Sequence, residues 1–196
     1  MNVILPLCCF PSTHWLKLAL EGASIDVFEH YIKQTYRNRF DILGVNGPLR
    51  LTIPVSGQKG VKINMRDIRL ENGTWRSQHI RSIRAAYGRS PYFEYYFDEL
   101  ENVFTNKQEF LVDFNLSALN WIRLCGVNLN LKYSEAYLED PELTDLRNKF
   151  EPSQTWEELP AYTQVFSDRH TFVSGLSAID LLMNLGPNAT DYLKRK

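Results

Sequence analysis

The sequence predicts an α/β fold: a mixed sheet with an N-terminal βαβ unit and a hairpin, and helices packed behind it in a three-layer-like arrangement. Three observations carry this. Residues 3–8 form a short apolar run, the pattern of a strand covered on both faces. A helical segment and a second apolar run follow within about 30 residues, the length of a βαβ crossover. Asn46-Gly47 then sits between two alternating segments, the strongest short hairpin signal.

Taken in order, Ser12 or Thr13 caps a helix over 14–21 that stops at Gly22. Residues 25–31 read as the second strand, parallel to the first. Folding the chain about Asn46-Gly47 sets Ile42 opposite Leu51 and Phe40 opposite Ile53. Arg37, Arg39 and Asp41 then share the other face with Arg50 and Thr52, as a half-buried antiparallel pair requires. Asn38 alone breaks the alternation by landing on the core face.

Residues 63–70 read as a strand before a turn at Asn72-Gly73. Helical periodicity runs over 75–88, 92–104 and 107–125, and 127–133 alternates again. The three prolines and many charges of 138–162 predict a long surface loop with one or two short helical turns. A buried helix over 176–185 ends at Gly186-Pro187. The whole of 1–196 is expected to form one domain.

Composition excludes several function classes. The 22 basic residues nearly balance 23 acidic ones, so no global field recruits nucleic acid or an acidic membrane. No apolar run approaches the ~20 residues of a membrane span. Met1–Phe10 has no basic residue and is broken by Pro6, so it reads as a first strand and not as an export signal. Three cysteines, two of them adjacent, fit reduced thiols in a cytoplasm better than disulfides or a zinc site. No metal site is expected, and no cofactor is implied: GxGxxG, GxxxxGK[ST], GxSxG and HExxH are absent.

Candidate site residues are the polar ones that interrupt a pattern. His79 lies in the apolar arc formed by Trp75, Ile80, Ile83, Ala86 and Tyr87. It is either a hydrogen-bonded core histidine or an acid/base facing a pocket. Ser177, Asp180 and Asn184 form the one polar stripe of the 176–185 helix. Asp180 is thus a solvated residue or a carboxylate that orients a partner. Lys33, Arg37 and Arg39 fall on one side of an extended segment beside Arg50, a cationic face for a phosphate or carboxylate if Asp41 does not neutralise it. His14 opens the first helix directly after a strand, where α/β sheets bind phosphates.

Tyr31–Arg39, Leu51–Val55, Trp75–His79 with Pro91–Phe93, Tyr162–Phe166 and Leu176–Leu182 together resemble the WbqC-like protein family. The likeness runs in order from Phe10-Pro11 to Gly186, with a stretch of longer members missing between 133 and 162. Members often occur among bacterial genes for surface-polysaccharide synthesis. The resemblance therefore implies a cytoplasmic group transferase acting on a sugar or nucleotide-sugar, or a non-catalytic ligand-binding or scaffold protein of the same pathway. Lys33, Arg37, Asn38, Arg39, His79, Gln164, Asp180 and Asn184 lie inside or beside the shared motifs, and the resemblance carries over no catalytic residue. In the transferase reading His79 and Asp180 are the catalytic candidates. Lys33, Arg37, Asn38, Arg39, Gln164 and Asn184, with His14 from its place at the helix start, then face an anionic or sugar-linked small molecule. A fainter likeness to nucleotidyltransferases with a HIGH motif rests on Phe10-Pro-Ser-Thr-His-Trp15, which holds one histidine where those enzymes place two.

Overall fold

The computed structural model describes residues 3–56 and 62–195, so residues 57–61 of the glycine- and lysine-bearing stretch lie outside it. Its organising element is a parallel four-stranded sheet of order β7-β2-β1-β8. These strands are β1 (Val3–Leu5), β2 (Ala23–Ile25), β7 (Leu131–Tyr133) and β8 (Thr144–Asp145). β1 is buried throughout, which is why it reads as a continuous apolar run. Helix α1 (Thr13–Glu21) makes the expected crossover. Ser12 caps it by accepting the Trp15 N–H, and Gly22 ends it at a φ of 114°.

The second strand covers only Ala23–Ile25, not 25–31. Asp26 accepts the Phe28 N–H at 2.9 Å, and this Asx turn takes the chain out of the sheet. β8 lies in the segment read as a loop. Two polar residues are too short a run to show periodicity, and no helix forms over 138–162.

The hairpin pairs β3 (Arg39–Gly44) with β4 (Gly47–Thr52). Its register is Phe40 with Leu51 and Ile42 with Leu49, two residues from the expected one. The loop residues are Val45 and Asn46, because Gly47 takes the positive φ of 109° and closes the ladder against Gly44. A two-residue slip preserves the faces, so Phe40, Ile42 and Leu51 are buried as the alternation requires.

β5 (Val55–Ser56) and β6 (Arg69–Leu70) make a second small antiparallel pair, leaving a 3₁₀ turn at Met65–Asp67 where a longer strand was expected. Parallel and antiparallel pairing both occur in this α/β fold, divided among three sheets. Helices α2 (Trp75–Tyr87), α3 (Phe93–Thr105) and α4 (Leu111–Leu124) pack behind, followed after the long loop by α5 (Ala178–Leu185) and α6 (Ala189–Leu193). The core joins β1, the segment 7–10 and all of these helices, with Phe10 edge-on or stacked against Phe40, Phe104, Phe114 and Trp121. The three cysteines are free and buried, and burial pushes the Cys125 thiol up to about 12 and those of Cys8 and Cys9 higher. Among the described residues no helix is long and apolar enough to cross a membrane.

Candidate functional site

In a parallel sheet ligands gather at the carboxyl ends of the strands, at the point where the strand order reverses. Here that point lies between β1 and β8, and the protein's own charges fill it. Asp26, directly after β2, is fully buried and accepts from Ser134 after β7, the Leu138 N–H and Arg147 Nη1 at 2.6 Å. Arg147, after β8, also forks onto Asp145. Arg37 joins the group from the loop that follows β2. It is 1% exposed, donates to both carboxylate oxygens of Glu29 at 3.0 and 2.5 Å, and reaches the Arg147 carbonyl at 3.2 Å. Burial raises the Glu29 carboxyl while Arg37 holds it down.

The expected cationic face is therefore divided. Arg37 is interior and paired, and Arg50 is held by Asp41 at 2.8 Å. Lys33 is exposed, and neither it nor Arg39 meets a carboxylate among the described residues. The Arg39 Nε is buried with no hydrogen-bond partner among the described residues. Its charge, ahead of that of Arg37, opposes the rise that burial imposes on the Tyr31 phenol. Asn38 clamps the hairpin: its backbone carbonyl accepts the Ile53 N–H and its Nδ2 donates to the Ile53 carbonyl, each at 2.8 Å. That explains its place on the core face.

His79 and Asp180 are not brought together. His79 packs edge-on to Trp75 and against Phe40 and Phe104, its Nδ1 has no partner, and burial lowers its pKa. Asp180 is fully buried, so the solvated alternative fails. Its carboxylate accepts from Tyr87 at 2.9 Å, Tyr162 at 2.6 Å and Gln164 Nε2 at 2.8 Å. Burial raises the Asp180 carboxyl, and those donors oppose the rise. Gln164 also bonds both backbone groups of Val173, while Asn184 accepts the Val165 N–H and donates to the Asp180 carbonyl. Asp180, Gln164 and Asn184 thus staple the segment 162–173 onto α5.

That staple positions a cleft. The Tyr192 hydroxyl donates to the Pro160 carbonyl at 2.8 Å, setting Trp156–Pro160 alongside α1. The resulting cleft of about 620 Å³ has His14, Lys17, Leu18 and Glu21 along one wall and residues 156–160 along the other. The wall on α1 follows from spacing, since i, i+3, i+4 and i+7 share a helix face. His14 stacks on Trp156, which stacks on Phe150. Its Nε2 lies 2.8 Å from the Glu157 carbonyl oxygen. A carbonyl only accepts, so Nε2 carries the proton and Nδ1 keeps a lone pair. A Cβ on Gly175 would come within 3.3 Å of Nδ1 and Cε1, so that edge of the ring packs against Gly175, where a side chain would crowd it. Burial lowers the His14 pKa from its usual value of 6.5.

Of these residues, sequence reasoning missed Asp26, Arg147, Tyr87, Trp156 and Glu157. Asp26 was hidden inside a strand assigned too long, and Arg147, Trp156 and Glu157 lie in a loop without periodicity. Tyr87 sat in the apolar arc as an ordinary core aromatic. Tyr162 was visible as part of a motif but not as a ligand of Asp180.

A family model described as the WbqC-like protein family matches residues 26–148 and 128–192. The match opens at Asp26 and takes in Arg147, Tyr162 and Asp180. No curated protein and no solved structure matches the chain.

Proposed function

Because the chain belongs to the WbqC-like protein family, we propose that it is a cytoplasmic group transferase acting on a sugar or nucleotide-sugar in surface-polysaccharide synthesis, with the α1 cleft as its substrate site. The observation that supports this reading is the state of His14. Burial lowers its pKa, its Nε2 bonds the Glu157 carbonyl, and its ring lines a cleft large enough for a small molecule. In this reading the His14 imidazole takes the proton of the acceptor hydroxyl or amine while the acceptor oxygen or nitrogen bonds to the transferred group. The bond from that group to the donor's anionic leaving group breaks, and the leaving group departs with the electron pair. The Glu157 carbonyl holds the ring in place and stabilises the imidazolium that forms.

Trp156, Leu18 and Leu159 exclude water from the reacting atoms. Asp180 is a positioning residue, holding the wall that carries Trp156 and Glu157. Arg39 and Lys33 meet no carboxylate among the described residues but do not line this cleft, where Lys17 is the cation available to the anionic end of a donor. His79, enclosed by aromatic rings, has no part in the chemistry.

A thermal-shift screen against nucleotide-sugars, nucleotides and acyl donors tests this directly. A donor at 100 times its dissociation constant stabilises by about 2.7 kcal/mol. Trp156→Ala should abolish the shift. His14→Gln should keep it while turnover falls by at least 10²-fold, the usual share of a general base. Silence across the panel, or full turnover in His14→Gln, would overturn the proposal.

A further inference from the structure

Helices α2 and α3 lie side by side and carry opposite charge. α2 holds Arg76, Arg81 and Arg84 and no acid, whereas α3 holds Glu94, Asp98, Glu99 and Glu101 and no base. The two run antiparallel. Arg76, at the start of α2, bonds the carbonyls of Phe104, Asn106 and Gln108 around the end of α3. Arg84, in the last turn of α2, meets Glu101 at 3.3 Å and covers the Phe97 ring at 4.4 Å. The stripe of α3 that runs beside α2 is Glu94, Asp98 and Glu101, at i, i+4 and i+7. Ser77, Arg81 and Arg84 repeat that spacing on α2. All of these but Glu101 are exposed, as is Arg89 in the turn between the helices. Among the described residues Arg81 and Arg89 meet no carboxylate, and Glu94 and Asp98 meet no cation.

One molecule alone does not account for this segregation. Like charges three or four residues apart repel along a helix. The helix dipole favours Glu94 in the first turn of α3 and Arg84 in the last turn of α2. Arg81 and Asp98 stand in mid-helix, where that field has faded. A closed two-fold interface needs a surface complementary to itself, and a basic helix beside an acidic one is such a surface. A half-turn about an axis parallel to the helix pair, in the plane of contact, sets each α2 on the other copy's α3. Arg81, Arg84 and Arg89 of each copy then face Glu94, Asp98 and Glu101 of the other. Tyr95, three residues before Asp98 and 76% exposed, borders the acidic stripe, and tyrosine is enriched in such contacts.

We infer that the α2–α3 face binds a second copy of this chain, the basic helix of each on the acidic helix of the other. No residue of the α1 cleft takes part, so the inference does not rest on the transferase reading. The test is analytical ultracentrifugation of the full chain over a concentration series at rising salt. The native protein should approach twice its 22.8 kDa at low salt. It should dissociate as salt shortens the screening length from roughly 30 Å at 0.01 M to roughly 3 Å at 1 M. Two double variants reverse charge at exposed positions that make no ion pair within the monomer: Arg81→Glu/Arg89→Glu and Glu94→Lys/Asp98→Lys. Circular dichroism verifies that both fold. Each alone should sediment as a monomer, because like charges now meet. An equimolar mixture of the two should restore the dimer, since opposite charges face each other again across the pair. A native protein that stays monomeric at low salt, a dimer that persists in either variant, or a mixture that stays monomeric would overturn the inference.

Discussion

Arg37 and Arg39 are two residues apart in one motif and have opposite fates. Arg37 is locked to Glu29 inside the molecule, whereas Arg39 has a buried Nε that meets no hydrogen-bond partner among the described residues. Removing one member of a buried pair strands the other charge, which costs about 3–5 kcal/mol. Arg37→Ala should therefore lose a large share of the roughly 5–15 kcal/mol that holds a typical domain, read by urea unfolding. Replacing both partners by apolar residues of similar volume, Arg37→Met with Glu29→Leu, should recover much of it. A stable Arg37→Ala protein would show that the pair is not structural. Period-two alternation placed both arginines on one face, and it failed because residues 26–38 form a loop, not a strand.

At the scale of elements, the staple on α5 makes a separate claim. Asp180→Asn keeps the volume but turns one acceptor toward donors, leaving a buried Tyr or Gln group unpaired. The cost should be about 1–3 kcal/mol. Amide exchange should accelerate over 156–173 before it changes in the parallel sheet, and mass spectrometry after deuterium labelling reads this directly. Uniform acceleration would mean that the staple holds the whole core and not one segment.

Elements that repeat a period were legible in advance: α1 with its Ser12 cap and Gly22 stop, the buried arc of α2, and the parity of the hairpin. What escaped was decided by partners distant in sequence. β8 exists because Thr144 pairs with Val3, and Trp156 matters because it meets His14. Burial of α5 is legible in its own pattern, but that pattern leaves Asp180 either solvated or partnered. Its three donors lie on α2 and in a loop, where no pattern on α5 points.

Across the whole molecule, burial leaves an imprint on pH dependence. His14 and His79 both have pKa values lowered by burial, so the unfolded chain binds protons that the folded one refuses as pH falls below 6.5. Their contribution is present above that value and is lost on acidification. Asp180 acts with the opposite sign, because its raised carboxyl favours the fold at low pH. Comparison of the native protein with His14→Gln/His79→Asn isolates the histidines. The deficit of the variant should shrink between pH 7 and pH 5, measured by unfolding midpoints, and a constant deficit would contradict the assignment.

The sealed cysteines turn the molecule into its own timekeeper. A thiol reacts as thiolate, and Cys8 and Cys9 lie in the core with burial holding both protonated. A coloured disulfide reagent added to the folded protein reaches them only in molecules whose centre has momentarily come apart. With the one equivalent from Cys125 at the end of α4 set aside, the pace of the remaining colour counts openings of the first strand's neighbourhood, with no residue changed.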